Sequence, residues 1–346
     1  MKKTLLALAA LAATSAAFAQ SSVTLYGVVD VSVERVKGDH QVNRVSSSNL
    51  ASSRLGFKGT EDIGGGLKAN FALETAVTAD TGANGGGSTR FFDRAAWAGL
   101  SGGAGEIRLG RQDSSIGALA GDTTILGGQA YDDLKILGTR AADSYRRVDN
   151  AITYILPTVV QGVTAQLQHS TAAGSSSATG SEVYGSNAGE STGLSIKYAS
   201  GAVLAGLGYI NIKDDGPAAG DQHANATLVY GGYDLGMAKV IAYFDSETKA
   251  AERMTVLGVK AIVPVTADLT VQAGVSRAKN VSGSAASNDD AVVTAVKAVY
   301  KLSKRTSVYG LGTIVNNEAA LTKGILAPTT GDRVAGGIAA GVAHAF

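Results

Sequence analysis

The sequence has no cysteine, one tryptophan, 4 prolines and few charges among its 346 residues. Without cysteine there is no disulfide scaffold, no thiolate metal site and no cysteine to carry a lipid anchor. Charged residues make up 17% of the chain, below the ~25% usual in soluble proteins. The signs nearly cancel, with 30 Lys+Arg against 29 Asp+Glu. A near-neutral chain lacks the concentrated basic surface that nucleic acid requires, which excludes that partner class. Long hydrophobic runs are also missing. After Gln20 no stretch approaches the ~18 apolar residues of a transmembrane helix. What is plentiful is glycine, 45 residues, and an apolar fraction of 45%, too high for a disordered chain.

The first segment reads as an export signal. Lys2 and Lys3 form a basic n-region, Leu5 to Leu11 an apolar h-region, and Ala17-Phe18-Ala19 an A-x-A cleavage site. The apolar run is far shorter than the ~20 residues needed to cross a bilayer. Cleavage after residue 19 leaves a mature chain of residues 20–346. Losing Lys2 and Lys3, and no acid, leaves 28 bases against 29 acids and a formal charge of −1.

Beyond the signal, the dominant pattern has a period of two. Ser22, Thr24, Tyr26, Asp30, Ser32 and Glu34 interleave with Val23, Leu25, Gly27, Val29, Val31 and Val33. Arg54, Lys58 and Thr60 stand opposite Leu55, Phe57 and Gly59, and Lys68, Asn70 and Glu74 opposite Leu67, Ala69, Phe71 and Leu73. Thr164, Gln166 and Gln168 repeat the alternation against Val163, Ala165 and Leu167. Such segments are strands with one apolar and one wet face.

Connections alternate too. Short turns are expected at Ile63–Gly66, Gly102–Gly105, Pro157–Gly162, Asp234–Gly236, Pro264–Asp268 and Ser303–Thr306. Longer polar stretches lie between them at Gly38–Leu50, Ala79–Thr89, Asp113–Arg146, Ser170–Gly189, Asp214–Asp221, Asn280–Asp289 and Asn317–Asp332. This punctuation gives about 16 strands of the length that tilted spanning strands need. Short turns on one side and long loops on the other describe an antiparallel up-and-down meander whose end strands can pair and close. Charges at mid-strand, including Glu34, Arg54, Lys58, Lys68 and Glu74, favour a transmembrane barrel over a soluble sandwich. The apolar half then faces lipid and forms no core, while the polar half faces water. At the C-terminus Ile338, Val342 and Phe346 share one face, and Gly337, Gly341 and Ala345 the other.

At this point a family resemblance emerges. Ser22–Asp30 (SVTLYGVVD), Ser53–Leu67 (SRLGFKGTEDIGGGL), Gly105–Gln112 (GEIRLGRQ), Leu302–Tyr309 (LSKRTSVY) and His344–Phe346 resemble the general, non-specific porins of Gram-negative bacteria, specifically the β-proteobacterial branch. A chain ending on an aromatic is similar to the C-terminal signature of such barrels, with His344 departing from the aromatic often found there. The resemblance implies an outer-membrane homotrimer of sixteen-stranded barrels in contact with lipid and lipopolysaccharide. It implies delivery to the barrel-assembly machinery through Phe346, and passive diffusion of small hydrophilic solutes and ions without a cofactor. It also implies a long third loop folded into the lumen, here about residues 113–146. Arginines rise opposite that loop in related porins; the matching positions are Arg54, Arg94 and Arg147. Parity supports Arg54, beside Lys58, and Arg147, beside Asp149 and Thr153. Arg94 is less regular, because Phe92 shares its face while Trp97 takes the other.

The loop brings Asp113, Asp122, Asp132, Asp133 and Asp143 against Lys135, Arg140 and Arg146. Some of these acids are expected to cap a short helix around Asp132–Leu137 or to tie the loop to the wall. With Glu74 and Glu106 also on polar faces, the expectation is weak anion preference or little selectivity. Other functions find less support. His40, His169, His223 and His344 are far apart, and no H-E-x-x-H, P-loop or G-x-S-x-G pattern occurs. The chain therefore reads as no enzyme. Asp214-Asp215 and Asp289-Asp290 are solvated loop acids or outer divalent-cation sites. A barrel specialised for one anionic solute class is the alternative. A secreted Gly/Ser-rich adhesin is remote, since it predicts a short repeat and the strands share none.

Overall fold

The computed structural model describes residues 22–38, 41–85, 90–126, 131–137, 139, 145–171, 189–213, 223–249, 252–280, 290–317 and 334–346. The segment expected as an export signal lies outside them. The barrel strands are β1 (Ser22–Gly38), β2 in two halves (Gln41–Ser47 and Arg54–Gly64), β3 (Leu67–Thr78), β4 (Ala95–Gly102), β5 (Gly105–Asp113), β6 (Arg147–Ile155), β7 (Val163–Ser170), β8 (Ser191–Ser200), β9 (Val203–Ile212), β10 (Ala224–Asp234), β11 (Lys239–Lys249), β12 (Glu252–Pro264), β13 (Leu269–Lys279), β14 (Ala291–Lys301), β15 (Thr306–Asn317) and β16 (Val334–Ala345). Each pairs antiparallel with its neighbours, and β1 pairs with β16 from Val28↔Ala345 upward, so the sixteen-stranded sheet closes. Closure removes the sheet edges. The seam is finished by Phe346, whose backbone exchanges bonds with Gly27 at 3.2 and 3.1 Å.

Alternation sets which way each strand faces. On β1, Val23, Leu25, Val29 and Val33 are exposed outward, while Asp30, Ser32 and Glu34 point inward and are buried. Tyr154, Tyr198, Tyr233 and Tyr300 all stand outward near the ends of β6, β8, β10 and β14, the ends joined by short turns. That row is the aromatic girdle of a membrane interface.

Two features depart from the expected pattern. Gln41–Ser47, expected as part of a long loop, is strand paired with the upper half of β1. The chain then leaves the ladder for residues 48–53, which stand opposite only Val29 and Asp30, before β2 resumes at Val28↔Arg54. Buried Asp30 organises the excursion. It accepts from Leu50 N and Ala51 N at 2.7 Å each and from the Tyr309 hydroxyl at 2.5 Å. Asn49 donates to Ser32, Ser46 and Glu34.

The second departure corrects the expectation that the apolar residues form no core. Inward-facing Ile210, Ile212, Leu228, Val256, Val293 and Val315 are buried together with Ile116, Leu119, Ile125, Leu126 and Leu134 of the long loop. The inner wall is apolar where the loop covers it, because that surface never meets water.

Candidate functional site

The loop begins at Ser114, whose N–H donates to the Arg146 carbonyl at 3.1 Å, so the two ends of the excursion are held together at its neck. It carries two short helices, α1 (Gly117–Thr123) and α2 (Asp133–Ile136). From the neck it runs along the inner wall and is tied to successive strands. Ser115 bonds Gln168 on β7 and the Tyr209 carbonyl on β9, each at 3.0 Å. Asp122 takes Lys197 on β8 at 2.6 Å and the Tyr230 hydroxyl on β10 at 2.7 Å. Three consecutive loop carbonyls follow. Thr124 O accepts from Lys260 on β12 at 2.7 Å, Ile125 O from Gln272 on β13 and Leu126 O from Lys297 on β14. Tyr131 completes the course, donating to Glu34 on β1 at 2.7 Å and accepting at its carbonyl from Thr313 on β15 at 3.1 Å.

Asp132 and Asp133 therefore lie in the seam between loop and wall. Asp132 caps α2, accepting from Leu134 N at 3.1 Å and Lys135 N at 3.4 Å. Asp133 is fully buried and accepts from Ile125 N at 2.8 Å and from the Tyr243 hydroxyl on β11. Burial, reinforced by the neighbouring charge of Asp133, pushes the Asp132 carboxyl up to about 8, and burial raises Asp133 as well. Their surroundings make these two groups anchors for the loop. Asp143 and Arg140 fall outside the described residues, as do Asp214, Asp215 and Asp289; Asp290 accepts from Arg277 at 2.9 Å.

The opposite wall, built from β1 to β6, carries a second, half-buried cluster of charge. Glu74 holds Arg94 at 2.5 Å and Arg54 at 3.5 Å and accepts from the Tyr26 hydroxyl at 3.0 Å. Arg94 sits just before β4, its N–H donating to the Glu74 carbonyl at 3.1 Å. The excursion in β2 steadies Arg54, whose Nη1 donates to Ser52 O at 3.0 Å. Asp113 faces Arg147 at 3.3 Å and Arg146 at 3.4 Å. Lys58 lies next to this group, its ammonium 5.2 Å over the Tyr26 ring. Thus the structure gathers Arg54, Lys58, Glu74, Arg94, Arg147 and Asp113 on one bank, and puts Asp122, Asp132 and Asp133 on the other.

Sequence reasoning overlooked part of the first bank. Arg90 and Arg111 both bond Asp149 at 2.6 Å, and Arg111 Nε also donates to Asp93 O at 2.6 Å. Asp93 in turn accepts from Ala76 N at 2.7 Å. Strict alternation sends Arg111 to the lipid side with Ile107 and Leu109. A bulge meets it there: in the β5–β6 register Asp149 and Asn150 together stand opposite Arg111, with Asn150 at φ +48° and Gly110 at φ +122°. The glycine in the sequence LGRQ is the one visible hint. In all, Arg54, Arg90, Arg94, Arg111, Arg146 and Arg147 converge with Glu74, Asp93, Asp113 and Asp149. Six arginines meet four acids, and this cluster carries an excess of positive charge.

Comparison with known proteins places this geometry in context. Residues 6–320 match the Gram-negative porin family. Outer membrane porin protein 32 of Delftia acidovorans is 31% identical over 379 residues, covering 100% of both chains. An outer membrane porin protein of Bordetella pertussis is 34% identical over 175 residues, 45% of each chain. Among solved structures, the anion-selective porin from Comamonas acidovorans superimposes with a TM-score of 0.78 at 26% identity, covering 94% of this chain and 100% of that one.

Proposed function

This chain belongs to the Gram-negative porin family, and from that premise we propose that its water-filled channel prefers anions to cations. It is an outer-membrane porin, a channel rather than an enzyme, and its traffic is small hydrophilic solutes and ions. The observation that carries the anion preference is the imbalance in the charge cluster on the β1–β6 bank, where six arginines meet four carboxylates with Lys58 beside them, while the neighbouring Arg108–Glu106 pair is neutral. The loop bank does not offset it, because Asp132 and Asp133 are buried and Asp122 is paired with Lys197. Charges lining a narrow water path between low-dielectric walls act on every passing ion. The anion-selective character of the Comamonas porin supports the same direction.

The working form is proposed as a homotrimer of residues 20–346, formed after removal of the signal at 1–19. Its outward apolar face meets lipid and lipopolysaccharide, and Phe346 presents the chain to the barrel-assembly machinery. Planar-bilayer recording in a potassium chloride gradient tests the central reading. A reversal potential of the sign set by chloride is expected, and Arg54→Ala shifts it toward cations. A potassium-favouring potential in the unaltered protein overturns the proposal.

A further inference from the structure

Trp97, the single tryptophan of the chain, has a setting that the waist does not explain. It lies on the inner face of β4. Its same-face neighbours across the ladder are Ala72 on β3 and Gly110 on β5, and along the strand they are Ala95 and Gly99. No directly adjacent side chain rises above a methyl group, and the ring remains partly exposed. One long residue reaches it. Arg108, opposite Gly99, places its guanidinium carbon 4.3 Å from the ring centroid. Glu106 holds Arg108 in that pose through two bonds of 2.9 Å. On the other diagonal is Glu74, with Arg54 and Arg94. One strand beyond Ala72, in the same row, is Lys58.

A tryptophan that stabilises a core is packed by apolar neighbours, and one that anchors a barrel stands outward in the girdle. Trp97 does neither. It puts a flat π-surface and a pinned guanidinium plane in channel water, beside arginines whose shared carboxylate engages them at Nε.

We propose that Trp97 and Arg108, with Lys58 and Arg54, form a docking site inside the channel for planar aromatic carboxylates. This rests on the anion preference proposed above. The solute ring stacks on the Trp97–Arg108 pair, since guanidinium and indole both accept planar partners. Its carboxylate turns toward the cationic nitrogens of Arg54 and Lys58, where charge-assisted bonds hold it. A saturated acid finds only the charge, and a neutral aromatic finds only the stack.

The test uses the intact trimer and reads Trp97 directly, because no other indole contributes to its emission. Sodium benzoate, sodium cyclohexanecarboxylate and benzyl alcohol are titrated in turn while tryptophan fluorescence is recorded. The expected result is a saturable change with benzoate at a concentration about tenfold below that for cyclohexanecarboxylate or benzyl alcohol, the scale of one stacking contact. In bilayers benzoate interrupts the chloride current with the same ranking, and Arg108→Gln weakens the interruption about fivefold or more. Equal responses to benzoate and cyclohexanecarboxylate overturn the site, as does a response to uncharged sugars that matches benzoate. The fluorescence ranking in the unaltered protein decides the matter even where a variant fails to assemble. A chloride-favouring reversal potential with no benzoate preference removes the aromatic site alone, whereas a potassium-favouring one removes the underlying anion preference.

Discussion

Glu74 is the residue through which the charge of the waist is best probed. Its carboxylate sits between Arg54 and Arg94, and Glu74→Gln keeps its size while adding one net positive charge to the bank. An ion passing about 7 Å away in water feels ~0.6 kcal/mol from one unit charge. At 0.1 M salt, where the Debye length is about 10 Å, screening roughly halves this. The change has opposite signs for anion and cation, so their ratio moves by ~0.6 kcal/mol, about threefold. At 0.01 M the Debye length reaches about 30 Å and the shift grows to about fivefold or more. Permeability ratios from reversal potentials at the two salt concentrations measure both values. Glutamine retains an acceptor for the arginine N–H groups, so the bank keeps its shape in the variant. A ratio that stays fixed, moves toward cations, or ignores ionic strength refutes the assignment of this bank to ion sorting.

The loop and the seam give further expectations. Lys260 is only 4% exposed and its ammonium donates to Thr124 O at 2.7 Å. Lys260→Met leaves a buried carbonyl unpaired and removes the cation facing Asp133, a loss of ~3 kcal/mol. The open fraction of the loop then rises about a hundredfold, read as faster hydrogen exchange at the Ile125 amide. Because Asp132 and Asp133 have raised folded-state pKa values, the docked loop binds more protons than the undocked one. Docking is therefore strongest below the ordinary carboxyl pKa of ~3.9 and weakens as pH rises toward about 8. Exchange protection at Leu134, corrected for the intrinsic rate, should fall over that window, and Asp132→Asn should flatten the profile. At the seam, a Cβ on Gly27 meets the Phe346 ring and comes within 2.6 Å of Arg54 O. Gly27→Ala should cost ~1–3 kcal/mol, visible as a lower urea midpoint of the heat-modifiable barrel.

The barrel was legible because its physics is local. Lipid on one side and water on the other impose a period of two, and β1 displays it residue by residue from Ser22 to Glu34. Gln41–Ser47 escaped for the same reason. Val42 and Val45 are three apart and fall on opposite faces, so the segment has no dyad to read. Arg54 could be placed by parity, whereas Arg111 and Arg147 lie at and beyond a bulge that parity conceals. Asp30 looked like one more wet residue; that it holds residues 48–53 together follows only from a turn of the chain.

The burial of the loop acids links these observations. An acid on a loop inside a channel can lie in water and repel anions, or enter the seam and bind the loop. The second requires compensation for desolvation. Asp133 receives it from the Ile125 N–H and the Tyr243 hydroxyl, with Lys260 close by. Once those carboxylates are committed to the seam, they no longer oppose the arginines across the water. The loop's backbone carbonyls, tied to Gln272 and to the ammonium groups of Lys260 and Lys297, likewise use two wall cations that otherwise face the lumen. One bank is thereby made rigid and electrically quiet, and the other keeps its excess charge in contact with solute. A formal total near zero is compatible with a selective waist because the cancelling charges are separated by depth.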